Sequence, residues 1–300
     1  MTAAGAPACL IVSADDYGYF GGVSRGIIEA AERGIVTATG VFANSPRFDE
    51  DVPALRDCGA LDAGVHLNLT DGRPLTPDMR ARLVRWGGRF PGKFAMAGAA
   101  LIGAVRRSEI EVEWRAQIER CLDAGLKLHF LNSHEHIHML PALFPLAQSL
   151  ADEYGIPHLR FATADLRQSR GAAGLLRGAI IGAVAFVCRR RLVRPVARFL
   201  GLEASGRLRI DDLDAVTTNL QPGGIYELMC HPGRLDRSEV NDPRLLGYHD
   251  WEGELAALTD PRAKALLEER GIRLVGYRDI VVDGDCLVPR RRSTTESPRR

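Results

Sequence analysis

The sequence predicts an α/β protein built as a (β/α) barrel in one domain. Segments with the apolar, β-branched composition of buried strands alternate with segments of helical periodicity, and this alternation is typical of a mainly parallel sheet. A length of 300 residues suits one such barrel. Since no internal repeat or linker interrupts the alternation, we expect a single barrel domain over residues 8–285.

The first part of the chain predicts three strands in order. An apolar run from Leu10 predicts the first, and residues 23–33 predict a helix because apolar side chains recur on one face. Residues 35–43 are β-prone and predict the second strand, which ends at Asn44-Ser45-Pro46. Residues 63–70 alternate apolar and polar side chains, which predicts the third strand.

The rest of the chain continues the alternation after a stretch, residues 78–107, that predicts only a loop with short helices. Helical spacing returns in residues 110–122, and a helix over 142–154 begins after Pro141, a residue suited to a first turn. A last helix is predicted over 252–270. The remaining predicted strands are residues 126–131, 158–163, 225–230 and 272–276.

Two segments fall outside this pattern. Residues 164–206 predict a helical insertion, in which an apolar run over 172–187 leads into three arginines. The run is shorter than the ~20 residues of a membrane-spanning helix, so it predicts a buried or lid helix, or a helix lying on a membrane surface with its arginines on anionic lipid. Residues 286–300 are basic and lack apolar side chains from Pro289 onward, so we expect a disordered tail.

Composition narrows the class of protein. A net charge of +1 argues against a nucleic-acid partner, because such proteins carry a basic surface. The six cysteines include no Cys-x-x-Cys pair, so we expect reduced, mostly buried thiols in a cytoplasmic protein. No signal peptide is recognised before the first strand. Association with a membrane surface through residues 172–191, or with a second copy in a homodimer, stays open.

Reactive side chains cluster where predicted strands end. Asp15 and Asp16 follow the first strand; His66 lies in the third, and residues 134–138 and His231 follow two later ones. Asp is common in turns, and a single histidine after a strand is usually structural, so either alone could be a polar strand end. Five of the eight histidines fall at these places, which favours a site at the C-terminal rim of a barrel.

Two histidines and one carboxylate are a recurrent ligand set for a hydrolytic divalent ion. Asp16, His66 and either His134 or His138 could form this set, and the sequence does not decide between the last two. The other aspartate, Asp15, is then free to move a proton. We expect a divalent metal cofactor, zinc or magnesium.

Four motifs resemble the YdjC-like carbohydrate deacetylases, a family that includes chitooligosaccharide deacetylases and a hopanoid-biosynthesis branch. They are Ser-Ala-Asp-Asp-Tyr-Gly at 13–18, Gly-Val-His-Leu-Asn-Leu-Thr at 64–70, Ser-His-Glu-His-Ile-His-Met-Leu-Pro at 133–141, and Glu-Leu-Met-Cys-His-Pro-Gly at 227–233. The resemblance covers the chain from Leu10 to about Ile280. It implies a distorted (β/α) barrel like that of polysaccharide deacetylases.

The resemblance also implies metal ligation by Asp16, His66 and His134, with Asp15 as general base. On this basis we expect hydrolysis of an N-acetyl group on an amino sugar, in an oligosaccharide, a glycoconjugate or a lipid-linked sugar, with His231 as general acid. Hydrolysis of another amide or ester, or sugar or glycolipid binding without turnover, are the alternatives. The candidate substrate contacts are Tyr17, Asn68, Glu135, His136 and His138.

Overall fold

The computed structural model describes residues 5–165 and 171–290, which form a curled parallel sheet covered by helices. The strands, in chain order, are β1 (Cys9–Tyr17), β2 (Ala38–Val41), β3 (Asp62–Leu67), β4 (Leu128–Ser133), β5 (His158–Leu159), β6 (Arg198–Leu200), β7 (Ile225–Cys230), β8 (Arg273–Leu274), β9 (Ile280–Asp283) and β10 (Cys286–Pro289). The main sheet has the order β5-β4-β3-β2-β1-β7-β6, and β8 pairs with the start of β1. Strands β9 and β10 form a separate antiparallel pair.

The helices that connect and cover the strands are α1 (Gly21–Arg33), α2 (Phe48–Asp57), α3 (Pro77–Arg82), α4 (Lys93–Leu101), α5 (Arg107–Asp123), α6 (Phe144–Glu153), α7 (Gly171–Arg189), α8 (Ile210–Thr217), α9 (Pro243–Tyr248), α10 (Trp251–Thr259) and α11 (Pro261–Glu269). A short 3-10 turn, His134–Met139, follows β4 directly. Parallel strands bring their carboxyl ends to one rim, so this turn lies at the same rim as the end of β1.

The curl of the sheet is visible at its two edge strands. Arg160, which follows edge strand β5, donates to Glu227 on β7 over 2.6 Å. Its guanidinium also lies 5.4 Å from the ring centre of Phe199 on β6, the opposite edge strand. The sheet therefore curves far enough for its edges to face each other, and the pairing shows an incomplete (β/α) barrel.

Apolar side chains fill both sides of the sheet. The larger cluster packs the strands against the outer helices, through side chains such as Leu10, Ile27 and Trp114. A smaller cluster fills the inside of the curl and includes Ile11 and Phe130, whose neighbours along β1 and β4 point outward. Burial on both faces explains why these strands are continuous apolar runs.

The predicted α/β barrel is confirmed, and the structure adds detail to two of its predicted segments. The single helix predicted over 252–270 is two helices, because Asp260 caps α11 through Arg262 N and Pro261 takes its first position. The insertion predicted as helical over 164–206 contains α7, but also β6, which pairs in parallel with β7. Strand β6 has only three residues, which are too few to show the alternating pattern of a strand in the sequence. Only its pairing with β7 identifies it as a strand.

The first residues of the tail predicted to be disordered, 286–290, are described by the structure. Residues 286–289 are strand β10, and Leu287 pairs with Val282 across the β9–β10 hairpin. Residues 291–300 lie outside the described residues. Among the residues that the structure does describe, no helix combines the length and apolarity needed to cross a bilayer.

Candidate metal centre

Three side chains from three strand ends meet at the C-terminal rim. Asp16, His66 and His134 each offer one ligand atom, and these atoms lie within 4.8 Å of one another. Asp16 Oδ1 is 3.2 Å from His66 Nε2 and 3.0 Å from His134 Nδ1. The expectation that these three residues meet is confirmed; that they bind a metal ion stays a prediction.

Backbone geometry directs both carboxylates of the Asp pair into this site. Adjacent strand residues normally point to opposite faces, but the register of β1 against β2 shifts between Ala14 and Tyr17. Asp16 has a left-handed backbone, with φ of 73°. A non-glycine residue adopts this conformation only when its surroundings fix it, and such residues cluster at functional sites. The strand irregularity thus places Asp15 and Asp16 side by side at one rim.

A chain of hydrogen bonds fixes the tautomer of the His66 ring. Asp15 accepts two hydrogen bonds from Arg160, so its ionised oxygens can only accept, and Asn132 Nδ2 donates to its Oδ1 over 3.0 Å. The carbonyl oxygen of Asn132 therefore faces His66 Nδ1, 2.8 Å away, and accepts the ring N–H. In the neutral ring, Nε2 then carries a lone pair that faces the cluster, which is what a metal ligand requires.

The positions of His66 and Asp16 show that the residues of the cluster suit a cation. The lone pair of His66 Nε2 faces a carboxylate oxygen of Asp16 at 3.2 Å, and two acceptors at this distance repel unless a cation or an added proton lies between them. Both groups are buried, so water does not screen the repulsion. Two imidazole nitrogens and one carboxylate oxygen are also a ligand set that zinc and related ions accept. The donor set fits a divalent cation.

Electrostatics at the cluster follow from burial and proximity. Burial alone would raise the pKa of Asp16, but the charge and hydrogen bond of His134 are the main causes that hold that pKa well below its usual range. Burial would lower the pKa of His134, but Asp16 outweighs this effect and raises it. Burial likewise raises the pKa of Asp15, and the neighbouring Arg160 more than reverses it. Asp15 is therefore held as a carboxylate.

His231 enters the rim from β7, which lies on the other side of β1 from the strands that carry His66 and His134. Its backbone N–H donates to buried Glu254 over 2.5 Å, and its Nδ1 lies 3.9 Å from the same carboxylate. His249 lies beside it, with ring centres 5.1 Å apart, and stacks on Trp251 at 4.8 Å and 11°. These contacts hold the His231 ring between a carboxylate and an aromatic pair.

Three of the predicted substrate contacts have side chains that are buried in structural hydrogen bonds, and their contact with a substrate stays a prediction. The Tyr17 hydroxyl donates to Asp51 O over 2.7 Å within the core. Asn68 ties its own loop by donating to Asn44 Oδ1 and Asp71 O and accepting from Thr70 N. Asn68 therefore organises a loop.

The third of these residues is His138, which lies outside the cluster of Asp16, His66 and His134. Its Nε2 lies 2.9 Å from the carbonyl oxygen of Arg160, and its Nδ1 lies 2.5 Å from Ser133 Oγ. Both ring nitrogens are occupied, so neither is available to a metal. The choice that the sequence left between His134 and His138 is decided for His134.

Glu135 and His136 stay candidate substrate contacts. Both have positive φ values, 52° and 56°, and neither side chain is fully buried. Glu135 pairs with Lys93 Nζ at 2.8 Å, and the His136 ring meets Phe199 edge-on at 5.5 Å. A run of left-handed residues turns the chain between His134 and His138, which is why the two rings diverge.

The site also contains residues that were not predicted from the sequence. Asn132 bridges Asp15 and His66, and Arg160 binds Asp15. Tyr19, rather than Tyr17, lies beside His134 with ring centres 5.6 Å apart. Asn132 stands two positions before His134, which was a usable signal. Arg160 follows a strand of only two residues, and no local pattern marks it.

The fold and the site define a class: α/β proteins with a curled parallel sheet and a cluster of two histidines and one aspartate at its C-terminal rim. The family model described as "YdjC-like protein" matches residues 9–269. The chain belongs to the YdjC-like family.

Relatives with described roles are similar over nearly the whole chain. A carbohydrate deacetylase from Geobacillus stearothermophilus is 34% identical, covering 91% of this chain and 98% of the relative. A chitooligosaccharide deacetylase from Escherichia fergusonii is 33% identical, covering 90% and 98%. A crystal structure from Enterococcus faecalis, described as a candidate cellobiose-phosphate cleavage protein, matches with a TM-score of 0.70 at 28% identity, covering 91% of this chain and 98% of that chain.

Proposed function

We propose that the protein is a metal-dependent N-deacetylase of an amino sugar. The observation that carries this proposal is the cluster of Asp16, His66 and His134 beside a separate, ionised carboxylate, Asp15. Hydrolysis of an amide needs a polarised carbonyl, an activated water and a proton for the leaving amine. The relatives named carbohydrate and chitooligosaccharide deacetylases support an N-acetylated sugar as the substrate.

A divalent cation held by Asp16, His66 and His134 would polarise the amide carbonyl and lower the pKa of a water. Asp15 is the proposed base. Its Oδ1 already accepts from Asn132 and Arg160, whereas Oδ2 accepts only from Arg160. Oδ2 therefore keeps a lone pair that can take a proton from the attacking water.

His231 is the proposed acid for the leaving amine. The buried carboxylate of Glu254 lies 3.9 Å from His231 Nδ1 and accepts from the His231 backbone N–H, so the ring is positioned at the rim. His231 and Asp15 stand on neighbouring strands, since Ala14 pairs with Cys230 directly before His231. A substrate bound between them would meet a base on one side and an acid on the other.

Acetate release from a panel of N-acetylated saccharides tests the reaction class. We expect turnover that chelation abolishes and added zinc or magnesium restores. Asp15→Asn should lower kcat by roughly 100-fold or more, because a positioned base contributes about that much, while metal content stays normal. Acetate release by Asp15→Asn at the wild-type rate would disprove the assigned base. Binding of N-acetylated sugars without any acetate release would instead show a non-catalytic protein.

Two histidines of one turn provide a matched test of the metal cluster. We expect His134→Ala to lose bound metal, measured by elemental analysis of the purified protein. His138→Asn should keep its metal and lose about 1–3 kcal/mol of unfolding free energy, because it leaves buried hydrogen-bond partners unsatisfied. Metal loss in His138→Asn but not in His134→Ala would reverse the assignment.

A further inference from the structure

Charge is distributed very unevenly along the chain. Residues 79–108 contain six arginines and one lysine, and residues 166–202 contain eight arginines; neither segment contains any of the 38 carboxylates. The whole chain has a net charge of only +1, so the remainder is acidic. Such asymmetry indicates a surface that meets an anionic partner.

The helices in these two segments also expose apolar side chains. On α7, Leu175, Leu176, Ile180, Phe186 and Val187 recur along one solvent-facing side, with Leu176 64% and Phe186 67% exposed. The inward side carries small residues such as Gly178 and Ala185. Helix α7 is therefore apolar on its inward and its solvent-facing side, whereas an ordinary surface helix is polar toward solvent.

Helix α4 repeats the arrangement on a smaller scale. Phe94 is 77% exposed and Ile102, directly after the helix, is 78% exposed, while Met96 and Ala99 are buried. Lys93 begins the helix, and arginines follow it at 106 and 107. Contiguous exposed apolar side chains bordered by cations mark an interaction surface rather than a solvated one.

Both helices are attached to the turn that carries His134. Lys93, at the start of α4, pairs with Glu135 at 2.8 Å. Near the end of α7, Cys188 Sγ donates to the carbonyl oxygen of Met139 over 3.2 Å. The exposed apolar side chains of α4 and α7 are thus carried by elements that flank the candidate site.

We propose that α4 and α7 dock the protein on an anionic lipid surface, with the candidate site facing the bilayer. Apolar side chains would enter the acyl boundary, and arginines would pair with lipid phosphates, which their planar guanidinium groups bind bidentately. Neither Arg189 nor Arg190 forms an ion pair with any described residue, so both are available. A helix lying in the surface agrees with the finding that no described helix can span it.

Charge distinguishes lipid from the other candidate occupants. A symmetric homodimer through α7 would bring the same arginines of two copies together, and like charges in an interface cost affinity. A nucleic acid would satisfy the arginines but not the exposed leucine, isoleucine and phenylalanine side chains. Only an anionic lipid surface supplies both apolar and phosphate partners.

Vesicle flotation tests the proposal, using the full chain without substrate. We expect binding to phosphatidylcholine vesicles containing phosphatidylglycerol to be at least about tenfold tighter than to phosphatidylcholine alone, and to weaken with added salt. Equal binding to both vesicle types, or none to either, would overturn the proposal. The assay involves no turnover, so its failure leaves the proposed deacetylation untouched.

Variants of exposed residues locate the contact. Leu176→Glu with Phe186→Glu should reduce vesicle binding at least about tenfold, because two carboxylates would enter the acyl boundary. Arg189, Arg190 and Arg191 replaced together by Gln should remove the preference for phosphatidylglycerol. The matched control is Val112→Glu, an exposed apolar position (52%) on helix α5 outside the surface, which should bind as wild type.

Two further outcomes would contradict the proposal. In the first, the wild-type protein does not bind vesicles, and light scattering shows a dimer that Leu176→Glu with Phe186→Glu disrupts. Helix α7 would then be a homodimer interface. Binding to soluble heparin without any vesicle binding would show that the arginines serve a polyanion and that the apolar side chains are not involved.

Discussion

Asn132 is a single side chain that links Asp15 to His66 in the candidate site. Its amide N–H₂ group holds Asp15, and its carbonyl oxygen holds the ring N–H of His66. One uncharged side chain thereby orients the proposed base and fixes which ring nitrogen of His66 faces the metal cluster. Replacing a residue that orients a metal ligand in this way typically weakens metal binding by about 10–100-fold.

Replacement of Asn132 by alanine should therefore weaken metal binding by about 10–100-fold, because the His66 ring loses the partner that fixes its tautomer. Chelator competition measures the dissociation constant. The control is Thr39→Val, which removes a buried hydrogen bond to Ala14 O beside the site and should cost about 1 kcal/mol of stability without changing metal affinity. Unchanged metal affinity in Asn132→Ala would reject the positioning role.

At the scale of elements, helix α1 and the loop after β7 are joined through glycine. The backbone of Gly26 on α1 approaches Gly233, so closely that a Cβ atom on Gly26 would lie 2.4 Å from Gly233 Cα. The carbonyl oxygen of Gly22 continues this contact, since it accepts a hydrogen bond from Arg234 N over 2.8 Å. This contact sets the position of His231, which stands two residues before Gly233.

We expect Gly26→Ala to cost about 1–3 kcal/mol of unfolding free energy, because the added methyl group meets backbone that cannot rotate away. Turnover should fall as well, since the loop that carries His231 must shift. Urea unfolding and acetate release measure the two effects. Gly98→Ala is the helical control: a Cβ atom there meets nothing within 4 Å, so it should stabilise by about 0.5–1 kcal/mol. A Gly26→Ala protein that is as stable and active as wild type would contradict the claim that the close contact between Gly26 and Gly233 positions the loop that carries His231.

Across the whole molecule, buried neutral histidines make stability depend on pH. His158 on β5 donates from Nε2 to the carbonyl oxygens of Tyr277 and Ile280, at 3.1 and 3.3 Å, and so ties the sheet to the segment before β9. Burial lowers the pKa of His158 to about 4, although the two carbonyl groups oppose the shift. The pKa of His138 is also about 4, with burial again the main cause.

Because the ordinary pKa of histidine is about 6.5, the unfolded chain binds more protons than the folded one between about pH 6.5 and 4. Stability should thus be complete above this window and fall as the pH falls through it. For His158 alone, the loss at pH 5 relative to pH 8 is about 2 kcal/mol. Urea unfolding at several pH values measures it, and His158→Gln, which keeps a donor but cannot titrate, should flatten the slope. An identical slope in both proteins would contradict this origin.

The sequence by itself determined the fold class and two residues of the cluster, Asp16 and His66, and it limited the third to His134 or His138. Burial on both faces makes the strands apolar runs, and the loss of that pattern marks the rim where Asp16, His66 and His134 meet. These signals are local, because each depends on a few consecutive residues. The motifs that carry the family resemblance are local for the same reason.

Only the tertiary structure decided which neighbours complete the site. Arg160 lies 145 positions from Asp15, and the curl of the sheet brings them together. The same folding buried Tyr17, occupied both ring nitrogens of His138, and paired β6 with β7. Burial and hydrogen-bond partners depend on what packs against a residue from distant segments, and a pattern of consecutive residues contains no information about that packing.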